Sequence, residues 1–426
     1  MYLGIDLGTS GCRICAITEA GDRVATAESS IPAPIIENQS ITQDPDLWWQ
    51  AVVTALDTLF LEIAPQQIRA IAVDGTSSTL LLCDNSGTPL TPALMYNDSR
   101  AQKQSGLIAK IAPKQAGGHG ASGSLAKLLW MQENKIDDNA MHAVHQTDWI
   151  LGKLAGEWGV SDYNNCLKLG YDVEALCWPD WFSELNVNAA LLPKVNAPGT
   201  TINTVSEKVS RELNLRPDTE VIAGTSDGVA AFLAAGATQP GQAVTSLGST
   251  LVLKLLSKRP VFSPEHGVYS HRLGNYWLVG GASNSGGAVL LQHFKQEQLQ
   301  EMTSKLNPDV LLNLNYYPLP GSGERFPVND PDMTGRLEPL PDSDVAFFQG
   351  MLEGIAHIEA RGYRLLTELG APEVTEIMTT GGGSKNPAWT SIREKITGIR
   401  QGQAHSDMAA YGTALLATGI IEKQYR

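Results

Sequence analysis

Positive charge is scarce in this chain: 31 Lys and Arg stand against 45 Asp and Glu over 426 residues, a formal net charge of −14 at pH 7. Duplex nucleic acid and anionic membranes are drawn to clustered Lys and Arg, so neither is expected as the main partner. Five cysteines are too few and too scattered for a disulfide framework. Cys12 and Cys15 form a C-x-x-C, but in a strand a spacing of three turns the two side chains to opposite faces, which argues against a redox pair. The longest uncharged stretch, 228–253, is broken by Gly236, Pro240 and Gly241 and carries Thr, Ser and Gln, so no transmembrane helix is expected. The opening residues have no basic region or apolar run and place a carboxylate at position 6, which predicts a cytoplasmic protein without a secretory signal. A G-x-x-x-x-G-K-[ST] P-loop is absent, and so is a close internal repeat. His142 and His145 could face one way on a helix as metal ligands, yet no third ligand accompanies them.

What is there is a globular balance, 42% apolar and 18% charged, over a length suited to two or three domains. The pattern is mixed α/β. Apolar runs at 2–7, 12–18 and 23–29 read as three antiparallel strands, with a hairpin turn at Glu19 to Asp22. Asp44-Pro45 is an N-cap with Pro at the first helical position, and Trp49, Val52, Val53, Leu56, Phe60 and Ile63 recur at helical spacing. Strands are expected at 68–74 and 80–83, and in the second half at 221–224, at 243–256 around Gly248, and at 267–280 around Gly274-Asn275. A long amphipathic helix carries Val345, Phe348, Leu352, Ile355 and Ile358 and ends at Gly370. A strand at 376–380 then runs into Gly381-Gly382-Gly383, and Asn386-Pro387 caps a further helix. Two α/β lobes with a cleft between them is the natural reading.

Three segments carry chemistry. The first is Gly4-Ile5-Asp6-Leu7-Gly8-Thr9-Ser10-Gly11, a strand ending in a carboxylate and opening into a glycine-bearing turn. Backbone N–H groups and two hydroxyls can approach an anion there, while Asp6 can hold a hydrated Mg²⁺; alternatively Gly8 and Gly11 make a tight turn that Asp6 caps. The second is Gly224-Thr225-Ser226-Asp227-Gly228, where a buried strand hands over to a helix and Asp227 is either a plain N-cap or a carboxylate facing a cleft. In the third, Gly381-Gly382-Gly383-Ser384-Lys385-Asn386, a base or ribose can pack on bare backbone, or Asn386 is simply an N-cap. Elsewhere, Glu353, His357 and Arg361 at spacing four read as a charged helix face, and Trp178, Trp181 and Phe182 as an aromatic core cluster.

Taken together and in this order, the D-x-G-T-S turn, the T-S-D-G elbow and the G-G-G-x-x-N turn resemble the FGGY carbohydrate kinases of the actin-like ATPase superfamily. The segment from Ser122 to Asn134, with Lys127 and Trp130, is similar to the family's first signature. Gly323-Glu324-Arg325-Phe326-Pro327, followed by Asp330-Pro331 and Gly335, resembles its G-E-R-x-P segment, and Ala410 to Ala414 its closing helix. The resemblance implies a two-lobed actin-like, ribonuclease H-like fold with the ATP cleft between lobes. It places the sugar-binding domain at 1–234, the nucleotide-binding domain at 235–407, and a C-terminal helix at 408–426 that packs back on the first lobe. It implies ATP and Mg²⁺ as cofactors, with the metal near Asp6. Phosphates would meet Gly8, Thr9, Ser10, Gly11, Gly248, Ser249 and Thr250; adenosine would pack against Gly381, Gly382 and Gly383 near Asn386. Asp227 would be the base that takes the proton of the sugar hydroxyl.

For the sugar, the loop Asp74-Gly75-Thr76-Ser77-Ser78 lacks the Met-His-Gln of bacterial xylulokinases and the Arg-Glu of glycerol kinases. Tyr96-Asn97-Asp98-Ser99-Arg100 resembles the family's W-x-D-x-R with Tyr for Trp, or else is a surface turn with an internal Asp98 to Arg100 contact. The short chain looks like the compact subgroup acting on D-ribulose. The expected substrate is D-ribulose, with D-xylulose second, read by Asp74, Thr76, Ser77, Tyr96 and Asp227. A non-catalytic sugar or nucleotide sensor on the same fold is the alternative, and retention of Asp6 and Asp227 favours the enzyme. The partners expected are the sugar and ATP, the assembly a monomer or homodimer.

Overall fold

The opening apolar runs pair as a sheet because each turns its larger residues inward. In the computed structural model, which describes residues 1–136 and 138–426, strands β1 (Tyr2–Leu7), β2 (Gly11–Ile17), β3 (Arg23–Ser30), β4 (Ala70–Gly75), β5 (Thr201–Thr204) and β6 (Glu220–Ser226) form one sheet, in the order β5-β6-β4-β1-β2-β3. β1, β4 and β6 are parallel and β2, β3 and β5 antiparallel to their neighbours. Parallel strands end on the same side, so Asp6, Asp74 and the residues after Ser226 share one edge; Asp6 is in register with Asp74 on β4 and Arg13 on β2. That edge is where open α/β sheets place ligands.

One face of this sheet carries a core that includes Leu3, Ile5, Cys12, Ile14, Trp48, Val52 and Trp149. On the other face Cys15 and Ile17 meet Ala410 and Ala414 of the helix Ala409–Ala417, so Cys12 and Cys15 do point opposite ways. This helix lies against bare backbone: a Cβ at Gly4 would sit 2.1 Å from the Ala410 carbonyl oxygen, and one at Gly412 would sit 1.9 Å from that of Ala230. The chain divides into two units, the first made of Met1–Ala234, Arg272–Gly274 and Met408–Arg426, the second of Ala235–His271 and Asn275–Asp407.

The second unit is built on β7 (Gln242–Leu247), β8 (Leu251–Ser257), β9 (Tyr269–Leu273), β10 (Tyr276–Ser283), β11 (Glu376–Thr380) and β12 (Gln401–Gln403), in the order β9-β10-β8-β7-β11-β12. Its central strand β7 has an antiparallel neighbour, β8, on one side and a parallel one, β11, on the other, as β1 has β2 and β4. The pairing is therefore repeated although the sequence is not. Beneath the ends of β7 and β11 a buried ion pair joins the helices Asp344–Glu368 and Pro387–Thr397: Arg393 Nε donates to Glu359 Oε2 at 2.7 Å and Nη1 to the Thr379 hydroxyl at 2.7 Å, while the Thr245 hydroxyl donates to Glu359 Oε1 at 2.5 Å. Removing either charge would strand the other in the interior.

Three expectations are corrected. The helix Pro45–Leu59, capped by Asp44 as expected, buries Trp48, Ala51, Val52, Ala55, Leu56 and Leu59, leaving Trp49 and Val53 half-buried. His142 and His145 lie on a strand, His142–His145, where they cannot face one way; His145 is buried between Asp148 and Ser124. Glu353 is not part of a charged face: it is buried and accepts the backbone N–H groups of Leu312 and Asn313. Among the described residues no helix is long and apolar enough to cross a membrane.

Candidate active site

The parallel edge of the first unit gathers three carboxylates. Asp6 is 7% exposed, with Arg13 Nη1 3.6 Å from its Oδ2; the Arg13 side chain itself is half exposed. Asp74 is completely buried, and the Thr413 hydroxyl on the C-terminal helix donates to its Oδ2. Burial raises both carboxyls. Asp74 also feels the negative charges of Asp6 and Asp227 and is pushed well above the usual range, whereas Arg13 acts downward on Asp6. With Arg13 beside it, Asp6 favours negative charge more than Asp74 does. Asp227 is the first residue of the helix Asp227–Ala235, and its Oδ1 accepts the Gly228 N–H at 2.6 Å. Negative charge at a helix N-terminus interacts favourably with the helix dipole.

Next to Asp6 the turn closes with the Gly8 N–H donating to the Gly11 carbonyl at 3.0 Å. Gln43 Nε2 reaches the Thr9 carbonyl at 3.2 Å and the Ile31 N–H reaches that of Ser10 at 2.9 Å, so the turn is pinned from two sides while Ser10 stays exposed. The loop after β4 is held from behind: Gln146 Oε1 accepts the Thr76 N–H at 3.0 Å and its hydroxyl at 2.7 Å. Of the residues expected at a sugar, Asp74 has no exposed surface and Thr76 only 6%, Ser77 has a buried hydroxyl without a protein partner, and Tyr96 is 43% exposed. Asp98 is buried rather than on a surface turn; Arg100 Nη2 donates to it at 2.7 Å, and the guanidinium lies over the Trp130 ring.

In the second unit a pocket of about 690 Å³ opens beside the turn after β7. It takes in Gly248, Ser249, Gly382, Gly383 and Asn386, all singled out from the sequence, but not Thr250 or Gly381. Its apolar wall is Leu290, Leu299, Phe348, Leu352 and Trp389, and Gln296, Gln300 and Thr303 come from one stripe of the helix Gln296–Thr303. Gly382 faces open space, whereas a Cβ at Gly383 would press on Trp389 at 2.6 Å and on the Leu247 Cβ at 2.7 Å. Asn386 caps the helix through its Oδ1 and the Trp389 N–H at 2.9 Å, and it also lines the pocket. Flat apolar walls with a few polar groups, Lys385 among them, suit a heterocyclic base, and the bare glycines admit close approach. Arg13, Gln146 and the Gln296–Thr303 helix were missed by sequence reasoning, and Thr413 was read only as part of the closing helix. Each takes its place from a partner on another element, and only the i, i+4 pair Gln296 and Gln300 left a local trace.

The N-terminal domain of the FGGY family of carbohydrate kinases matches residues 1–234, and its C-terminal domain matches residues 243–419. The chain belongs to this family, and it is an ATP-dependent carbohydrate kinase with the two-lobed α/β fold of the actin-like ATPases. It is 25% identical over 467 residues to the gluconokinase of Bacillus subtilis, covering 99% of this chain and 88% of that one. Over 449 residues it is 27% identical to the xylulose kinase of Streptomyces coelicolor, with 99% and 88% covered. Among solved structures, a xyloylose kinase from Brucella ovis superposes with a TM-score of 0.89 at 25% identity, covering 99% of this chain and 90% of that one.

Proposed function

We propose that this kinase transfers the γ-phosphate of ATP to the terminal hydroxyl of a neutral ketopentose, D-ribulose ahead of D-xylulose. The observation that carries the reading is the acidic edge of the first unit. Asp6, Asp74 and Asp227 stand there together, and the nearby cations are already engaged: Arg13 with Asp6, Arg100 with Asp98, and buried Lys127 with two carbonyls. A substrate bearing a carboxylate would meet like charge there, whereas a polyhydroxy ketone offers donors to carboxylates. The relatives named xylulose kinase and gluconokinase take one substrate of each sort, and this argument favours the uncharged one.

Asp227 takes the proton from the attacking hydroxyl, a step in which orienting the nucleophile matters more than base strength. Ser77, Thr76 and Tyr96 surround the rest of the sugar, the free Ser77 hydroxyl making the direct contact. Thr9, Ser10, Gly248 and Ser249 meet phosphate oxygens, and Gly382 and Gly383 lie under the adenosine. The donor set fits Mg²⁺: a single accessible carboxylate, Asp6, with fully buried Asp74 behind it suits an ion that keeps its waters and takes phosphate oxygens, and among the described residues no group of three or more His, Cys, Asp and Glu competes as an all-protein metal site. Held by Asp6, the ion would neutralise charge on the phosphates.

Coupled ADP-release kinetics over D-ribulose, D-xylulose, gluconate and glycerol test the reading. The highest kcat/KM is expected on D-ribulose, and a preference for gluconate would overturn it. Asp227→Ala is expected to lower kcat by about 10² to 10⁴ with nucleotide affinity unchanged; turnover near that of the wild type would remove Asp227 from its role.

A further inference from the structure

Lys127 has no exposed surface, although it lies on a helix, Ser124–Glu133, with the length and charge to reach water. Its Nζ donates to the Ser78 carbonyl at 2.8 Å and to the Met95 carbonyl at 2.7 Å. Those carbonyls belong to two separate loops. One follows β4 and carries Thr76 and Ser77; the other leads straight into Tyr96. Ser78 itself sits at φ 76°, in the left-handed region that a serine seldom adopts.

Burying an ammonium without a carboxylate of its own is costly. The charged groups facing it, Asp98 and Arg100, are paired with each other. Desolvation accordingly pulls the amine down to about 7. A purely space-filling role would be met better by Leu or Met, both of which avoid that cost. What an apolar residue cannot do is hold two carbonyls of different loops at one point, and a shorter polar residue cannot span to both.

We propose that Lys127 is a positioning residue for the acceptor sugar: by fixing the Ser78 and Met95 carbonyls it sets the Thr76–Ser78 turn and Tyr96 in the one arrangement that fits the substrate. It does not touch the sugar. The inference rests on the assignment of Thr76, Ser77 and Tyr96 to the sugar, and its test separates the two.

Steady-state kinetics with D-ribulose and D-xylulose are measured for K127M, K127Q and S77A, with thermal unfolding to verify folding. K127M is expected to raise the sugar KM by about tenfold or more, since small misplacements of binding groups carry such factors, while the KM for ATP stays within about twofold. K127Q, which keeps one donor group, falls between. If K127M does not fold, the comparison rests on K127Q, with sugar affinity read by calorimetry. A raised sugar KM in S77A with unchanged values in folded Lys127 variants overturns the positioning role and leaves the sugar loop standing. Unchanged values in S77A and the Lys127 variants alike overturn both. Equal rises in the sugar and ATP KM, or a lower unfolding temperature with unaltered kinetics, reduce Lys127 to a structural residue and also overturn the proposal.

Discussion

Asp162 is completely buried at the end of the strand Val160–Asp162, where its carboxyl accepts the N–H groups of Asn164 at 2.8 Å and Asn165 at 3.1 Å and the Asn165 side-chain amide at 2.6 Å. Burial, with the charge of Asp148 behind it, pushes this carboxyl from 3.8 up to about 7. The folded state therefore holds the proton more tightly than the unfolded chain, so this contribution to stability is complete below about pH 4 and is lost as the pH rises through about 7. Asp162→Asn is expected to flatten the decline in unfolding temperature between those values. The Asn165 Oδ1, which has no partner now, can turn to accept the new amide. Thermal scans from pH 4 to pH 8 check this, and an unchanged slope would show that another group titrates. The same scale shows where the sequence falls silent. Asp6 and Asp227 stand out because motif and carboxylate coincide, whereas Arg13 lies outside any motif, and Lys127 and Thr413, though within segments that resemble family motifs, contact a carbonyl or aspartate on another strand or loop, which no local pattern announces.

Among the elements, the strand-to-helix turn 381–386 was the most legible. Glycines, an Asn-Pro cap and an apolar run stand in sequence order, and the strand Glu376–Thr380 and helix Pro387–Thr397 fall where that order puts them. The Pro45–Leu59 helix shows the opposite case: its cap was readable, but its buried stripe runs through Ala51 and Ala55, too small to register as hydrophobic against Trp49 and Phe60. Glu353 was misread because spacing of four cannot tell a solvated ion pair from a buried acceptor of backbone N–H groups. Within the glycine turn the two neighbours differ physically. Gly382→Ala adds a methyl in open space at the pocket, so it is expected to raise the KM for ATP with the unfolding temperature held. Gly383→Ala drives that methyl into Trp389 and Leu247 and is expected to cost about 1 to 3 kcal/mol of stability as well. Paired kinetics and melting curves check both, and equal stability of the two variants would contradict the packing described here.

At the scale of the whole molecule, the net charge of −14 opposes the approach of an anionic nucleotide. The residues read as meeting its phosphates, Thr9, Ser10, Gly248 and Ser249, carry no charge themselves. Raising ionic strength with potassium acetate from about 10 to about 150 mM shortens the screening length from about 30 to about 8 Å, and the KM for ATP is expected to fall by about twofold; a rise would mean that clustered cations do bind the phosphates. Element order was enough to suggest two α/β units, and their shared strand pairing became visible only with the registers, because hydrophobic runs specify strands and not their neighbours. The helix Ala409–Ala417 adds a consequence in time. Gly4 and Gly412 let it fit against β1 and the helix Asp227–Ala235 with no room to spare, and Thr413 completes the surroundings of Asp74. During synthesis the second unit has all its segments once residue 407 is made, whereas the first, begun earlier, must wait for residues 408–426. The half of the protein translated first is the half that finishes last, and until then the nascent chain carries an uncovered sheet face and an incomplete acidic edge.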